Sequence, residues 1–486
     1  MFMAGSLLLA AVSGFAQQKQ PPALNAITVA DLTTDMYALA GDQFRGREAG
    51  TPDELKAAVW WADKMRREGI LPAGEDGTYF QYFSMRRTRL SSASQIMLGD
   101  HSLALWADVL VFQNRPVSLS LPVLFVPNAD VSTLDKLDLK GKAVALLMSA
   151  SGINLDVSLA DRRYPSYVIR KYVPELTKRG AAAVILVADE QGEKSWSQVV
   201  PALSRGSYEV GEPAAAANAS QAVVLWMHAA DSALLKASPT LSLTIQAEHF
   251  DYPSVNIIGR IDGTDPVLKN EFVLYSGHND HDGVRQPYGT DSIYNGADDN
   301  ASVSVAMLAI ARAFKKAPAK RSVLFVFHGA EERGLLGSKY YALHPTVDKN
   351  KVVAVLNGDM IGRNNPDSAA LLGVQPPHRN SADLVKIALE ANKEGPNFKL
   401  DTLWDKTTHV ENWYFRSDHL SYARAGYPAI FFSTLLHPIY HTPMDEPKNI
   451  DFKKLKKMTD WMYRTGWILA NSATRPALDK DFRLER

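Results

Sequence analysis

The 486-residue sequence contains no cysteine. Disulfide frameworks, thiol nucleophiles and thiolate metal sites are thereby excluded, and any metal must be held by nitrogen and oxygen ligands. The sequence also lacks net charge, because 53 Lys and Arg balance 53 Asp and Glu. That leaves no electrostatic footprint for a nucleic-acid backbone or an anionic membrane. No segment beyond the N-terminus holds the roughly 20 uninterrupted apolar residues of a membrane span. Internal repeats and low-complexity tracts are missing as well. What remains is 46% hydrophobic and 22% charged, material for ample cores at a length suited to two or three domains.

The N-terminus runs Leu7-Leu8-Leu9-Ala10-Ala11-Val12, then Gly14-Phe15-Ala16-Gln17. A short apolar run closed by small residues predicts a signal peptide over residues 1–16, although no Lys or Arg precedes it. The mature protein is then expected to be exported, periplasmic or secreted. Residues 29–70 read as helix: Ala57, Val59, Trp60, Trp61, Met65 and Ile70 fall largely on one face, between Thr51-Pro52 as a start and Gly69 as a stop. From about residue 100 to 248 the pattern changes to short β-rich runs, such as 121–126 and 142–148, with one helical stretch over 172–179. This section reads as a separate inserted unit. After Tyr252-Pro253 the apolar runs 272–275, 323–327, 352–356 and 430–432 alternate with helical stretches such as 302–314. The expected class is α/β, a mostly parallel mixed sheet with helices on both faces, plus the inserted β-rich domain.

Nine of the 12 histidines lie between His278 and His441. His278-Asn279-Asp280 follows the first of the late apolar runs, Glu331-Glu332 follows the second and Asp359 the third. Open α/β sheets place their ligand crevice beyond the carboxyl ends of the strands, so three strands deliver polar groups to one edge. Singly, each fragment is ordinary: His-x-Asp is a solvated turn, Asp298-Asp299-Asn300 an N-cap cluster, paired glutamates surface charge. Solvated turns have no reason to arrive in this order at strand ends. The residue types suit two zinc ions, which take His nitrogen and Asp/Glu oxygen and share a bridging carboxylate. Asp280 is placed to accept the second ring N–H of His278. Of Glu331 and Glu332, one can bind metal while the other handles protons.

Ser276–His281, Gly296–Ser302, Gly329–Glu332, Asn357–Asp359 and Tyr440–Pro443 together resemble the ordered signature of the M28 family of zinc exopeptidases, which includes secreted bacterial aminopeptidases. Ser417-Asp418-His419, Gly426–Ile430 and the N-terminal stretch Phe44–Pro52 are similar to further family segments. The resemblance implies that His278 and Asp359 bind different zinc ions, that Asp298 bridges them, that Glu332 and His441 complete the sites, and that Glu331 is the general base. It places Tyr414 where some members hold a tyrosine that stabilises the oxyanion. Val303 stands where the family usually has glycine. Asp138–Lys142 with the strand after it, and Gly180–Ile185, resemble a protease-associated domain. The expected division is a signal peptide (1–16), two peptidase parts (17–99 and 249–475) around the insert (100–248), and a tail (476–486). The implied activity is aminopeptidase hydrolysis of peptide substrates with two zinc ions. A carboxypeptidase using Arg363 or Arg416 as a carboxylate clamp, a single-zinc glutaminyl cyclase and a non-catalytic binding ectodomain remain as alternatives. No motif addresses the oligomeric state.

Overall fold

The computed structural model describes residues 20–113, 115–126, 131–211 and 222–484, so the expected signal peptide lies outside the described residues. The expected helix over 29–70 is two helices, Val29–Leu39 and Pro52–Glu68. The second starts where the sequence signals it. Thr51 accepts from the Asp53 N–H, Pro52 occupies the first turn, and Gly69 closes the helix in the left-handed region. Between the two helices the chain turns sharply through Arg45, Gly46 and Arg47, all at positive φ. A side chain on Gly46 would lie 2.3 Å from the Tyr294 carbonyl oxygen. The turn carries Arg47 inward, fully buried, where it donates to the carbonyls of Asn279 (2.7 Å) and Asn295 (2.8 Å). One guanidinium thus pins two loops that border the site described below.

The larger sheet has ten strands. At its centre Phe272–His278 runs parallel to Ser322–His328 on one side and to Val352–Gly358 on the other, and Val352–Gly358 runs parallel to Ala429–Ser433. The antiparallel strands Ala247–Ile261 and Ser368–Leu372 flank this block. Alternation along Phe272–His278 assigns its faces. Val273 and Tyr275 pack into the core beneath helices Ser302–Lys316 and Phe452–Asn471, and Leu274 joins the opposite core with Tyr341 and Tyr422. Helices therefore cover both faces, as the alternating pattern predicts. Val303, the departure from the family's glycine, packs its methyl groups over Gly277 and Gly358. An added Cβ on those glycines would meet Val303 at 2.6 and 2.9 Å.

Residues 95–245 supply a second sheet of eight strands with its own hydrophobic clusters. It is more helical than its sequence suggests. Ala160–Lys178 and Glu190–Arg205 are full helices despite Pro165, Pro174 and Pro201 within them. The expected stretch 172–179 is the C-terminal part of the first helix, while internal prolines, which disfavour a helix locally, masked its N-terminal part and the second helix. The long strands Phe80–Leu90 and Ala247–Ile261 pair along their length and carry the chain into and out of this unit. Among the described residues no helix is long and apolar enough to cross a membrane.

Candidate metal centre

The carboxyl ends of the three adjacent parallel strands supply the site. His278 is the last residue of its strand, the Glu331–Arg333 turn follows the next, and Asp359 follows the third. His278, Asp299 and Asp359 form one group of potential ligands. The His278 Nε2 lies 3.2 Å from Asp299 Oδ1 and 3.6 Å from Asp359 Oδ2. A second group gathers on the other oxygen of Asp299. The His441 Nε2 lies 3.2 Å from Asp299 Oδ2 and 3.2 Å from Glu332 Oε1. Asp299 is common to both groups, with one oxygen toward each.

The Asp298 assignment is corrected here. The Ala297–Ala301 turn departs from helical geometry at Asp299 (φ −105°, ψ 88°) and Asn300, so adjacent carboxylates point opposite ways. Asp298 turns from the histidine pair: its Oδ1 accepts from the Gly362 N–H (2.6 Å) and its Oδ2 faces His437 Nε2 (3.3 Å). The Tyr414 assignment is also corrected. Its ring is buried, stacked 4.2 Å from His378, and belongs to a core cluster with Met360, Trp413 and Phe431. The phenol beside the site is Tyr440, whose ring lies 4.0 Å from that of His441 and whose oxygen accepts from Arg416 Nη2 at 2.9 Å.

Asp280 serves the site in a different way from the one expected. The His278 Nδ1 is 3.0 Å from the Asp280 backbone carbonyl oxygen and 3.8 Å from its carboxylate. The carboxylate instead accepts from the backbone N–H groups of Glu331 (2.9 Å) and Glu332 (3.3 Å), and so holds the glutamate turn. Two further residues escaped the sequence reading. His281 Nδ1 approaches Glu332 Oε1 at 3.0 Å, and Asp282 lies 3.0 Å from His441 Nδ1 while Arg285 donates to it at 2.8 Å. Both stand in the stretch that carries the strongest motif, but neighbours in a loop face different directions, and their spacing gave no means of telling which turn inward.

The electrostatics suit cations. Burial works against charging His278, yet Glu331, Asp359 and Asp299 drive its pKa well above the ordinary value. His441 is driven up in the same way, against burial, chiefly by Glu332 and Tyr440. Burial pushes Glu331 well above the carboxyl range; His278 opposes it, and Glu332, Asp359 and Asp418 reinforce it. Glu332 resists burial and falls to about 2 beside His441. Protons on the histidines do here what metal cations would take over. The Nε2 atoms of His278 and His441 and Oε1 of Glu332 are buried without a hydrogen-bond partner among the described residues. Unpartnered buried nitrogen and carboxylate oxygen, with no thiolate available, is the donor set zinc accepts.

Residues 256–465 match the sequence profile of "Peptidase family M28". Among curated proteins, "Aminopeptidase YwaD" of Bacillus subtilis (strain 168) is 28% identical over 172 residues, 34% of this chain and 36% of that protein. A "probable leucine aminopeptidase 2" of Aspergillus oryzae is 33% identical over 131 residues, covering 26% and 24%. The chain spans between a quarter and about half of the first of these relatives. Two solved structures share the fold over nearly the whole chain. The "Aminopeptidase from Aneurinibacillus sp. strain AM-1" aligns with a TM-score of 0.58 at 19% identity, over 94% of this chain and 98% of that one. "BSAP, a zinc aminopeptidase from Bacillus subtilis" aligns at 0.55 with 20% identity, over 94% and 99%.

Proposed function

We propose, from the match of residues 256–465 to peptidase family M28 and from the geometry of the site, that the chain is an exported di-zinc aminopeptidase. Its inserted unit is read as a protease-associated domain. The observation that carries the metal reading is Asp299, whose two carboxylate oxygens serve two separate ligand groups. His278 and Asp359 would hold one ion, Glu332 and His441 the other, with Asp299 shared. Bound zinc supplies Lewis acidity, lowering the pKa of water toward about 7 and polarising the scissile carbonyl.

The chain's own residues supply the remainder. Glu331 and Glu332 are neighbours shifted in opposite directions from the ordinary carboxyl value, which suits them to different roles. The strongly ionised Glu332 is suited to bind a cation. Burial raises the proton affinity of Glu331, so once cations beside it hold it ionised its carboxylate is suited to take a proton from the attacking water and pass it to the leaving amine. Asp280 holds both glutamates through their backbone N–H groups and so fixes the base relative to His278. Tyr440 accepts from Arg416, which leaves its own O–H free to donate toward a developing negative oxygen.

The choice of chain end follows from charge. Carboxylates crowd the site, an environment that favours a substrate amine. Arg416, one candidate carboxylate clamp, is already engaged by Glu411 and Tyr440, and Arg363 donates to the Asn449 carbonyl. A single-zinc cyclase would leave one of the two ligand groups without a purpose, and a binding ectodomain would have no need of either. Metal analysis of purified protein, combined with hydrolysis of an unblocked and an N-acetylated peptide library, tests the reading. Two zinc ions per chain and cleavage confined to unblocked N-termini are expected. One ion, none, or cleavage of the acetylated set from its C-termini would reject it.

A further inference from the structure

We propose that Glu411 is a positioning residue through which the inserted unit holds Arg416 and Tyr440 in place beside the metal ligands. The inference rests on the peptidase reading above. Glu411 is buried at 6% exposure and carries four polar contacts from two distant parts of the chain. From the inserted unit come the Ser158 backbone N–H (2.6 Å), the Ser158 hydroxyl (2.9 Å) and Arg163 Nη1 (2.6 Å). From its own segment comes Arg416 Nη1 at 2.9 Å. The other arm of the same guanidinium donates to the Tyr440 hydroxyl at 2.9 Å, and Tyr440 directly precedes His441. The chain of contacts therefore runs from Ser158 and Arg163 through Glu411 and Arg416 to the phenol at the site.

The chemistry makes Glu411 the residue on which this arrangement depends. It is the carboxylate that two guanidiniums share, one from each side of the junction, and both bonds are charge-assisted. Without its charge, Arg163 and Arg416 would both lose the carboxylate oxygen that they share. The planar fork of Arg416 converts the position of Glu411 into the position of Tyr440, because its two arms are rigidly related. The guanidinium also lies over the Trp413 ring, 4.7 Å from its centre, which leaves it little freedom to swing. A cavity of about 510 Å³ opens along the same junction, walled by Asp156–Leu159 of the inserted unit and by Trp404, Leu436 and Tyr440. A shift of residues 156–159 thus alters both the cavity wall and the phenol.

The experiment compares wild type with Glu411→Gln and with the double variant Ser158→Ala/Arg163→Met. The double variant removes the inserted unit's two side-chain contacts to Glu411, leaving only the backbone N–H of residue 158 and the Glu411–Arg416 pair, and it keeps the test open if Glu411→Gln folds poorly. Zinc content, melting temperature, amide hydrogen exchange over residues 156–163 and 409–416, and kcat and KM on unblocked peptides are measured. Both variants should keep their zinc and show at least tenfold faster exchange at the Ser158 amide. Both should lose about tenfold to a hundredfold in kcat/KM, the cost of displacing a group near the reacting atoms by about an ångström. Unchanged exchange in both segments overturns the coupling, and faster exchange with unchanged kcat/KM overturns the positioning role. Because exchange is read without turnover, wild-type protein inert toward every peptide would refute the peptidase reading and leave the coupling to be judged separately.

Discussion

Replacing Asp299 by Ala should empty the site of metal, and replacing its neighbour Asp298 should not. The two oxygens of Asp299 stand 3.2 Å from His278 Nε2 and 3.2 Å from His441 Nε2, so its carboxylate serves both ligand groups at once. A carboxylate and a cationic charge about 4 Å apart, at an effective dielectric of about 20, interact by about 4 kcal/mol. Loss of the carboxylate then weakens each ion by about a thousandfold at roughly 1.4 kcal/mol per factor of ten. Two cations would also face each other with less negative charge between them.

Asp298→Ala fails differently. It removes the acceptor of the buried Gly362 N–H, at 2.6 Å, and an unsatisfied buried donor costs about 1–3 kcal/mol. The expected phenotype is a lowered melting temperature with metal retained. Metal counting by mass spectrometry after gel filtration, with thermal unfolding of the same samples, reads both effects together. An Asp299→Ala protein carrying its full metal, beside an Asp298→Ala protein that carries none, would refute this geometry and return the bridging role to Asp298.

Glu331→Gln should retain metal and lose about 10²–10⁴-fold in kcat, the range for removal of a general base; loss of metal instead would mean that Glu331 and Glu332 have exchanged roles. Tyr414→Phe should leave kcat within about twofold and stability unchanged or raised, because its buried hydroxyl has no hydrogen-bond partner among the described residues to lose; a tenfold fall in kcat would place Tyr414 back in the mechanism. Burial raises the Glu54 carboxyl to about 8 from an ordinary 4.5, so the folded protein binds a proton that the unfolded chain releases between those values. Stability should therefore fall as pH rises through that window, by at most about 5 kcal/mol from this group, and Glu54→Gln should flatten the slope; a pH series of unfolding midpoints with the same slope in both proteins counts against it.

The parts of the fold that could be read in the sequence are those where a period or a stop signal acts locally. The four parallel strands announce themselves as short apolar runs, because strands buried on both faces need no polar alternation. Thr51-Pro52 and Gly69 mark their helix because capping chemistry is confined to a few residues. The break between Leu39 and Pro52 was hidden for the opposite reason. Arg47 is buried because carbonyls of residues 279 and 295, far away in sequence, are there to receive it. Nothing within its own segment signals that demand. Of the helices in the inserted unit only the stretch 172–179 was legible, the C-terminal part of Ala160–Lys178; Glu190–Arg205, with Pro201 inside it, was not.

The site divides along the same line. Strand ends are topological positions, so the sequence order brings His278, Glu331, Glu332 and Asp359 to one edge before any coordinate is known. Whether Asp298 or Asp299 enters the cluster is decided by a departure from helical geometry within one turn, and a period of one residue carries no information about it. The same holds for Tyr414 and Tyr440. Tyr440 is tied to the site by adjacency to His441 and by a contact from Arg416, whereas Tyr414 is a core residue whose ring happens to sit three positions before a motif serine. Spacing identifies which loops reach the site; the direction of each side chain within a loop belongs to the fold. Glu411 carries this furthest, since its partners at Ser158 and Arg163 lie in a unit that shares neither the main sheet's core nor its motifs. Its carboxylate has meaning only once two segments some 250 residues apart are folded against each other.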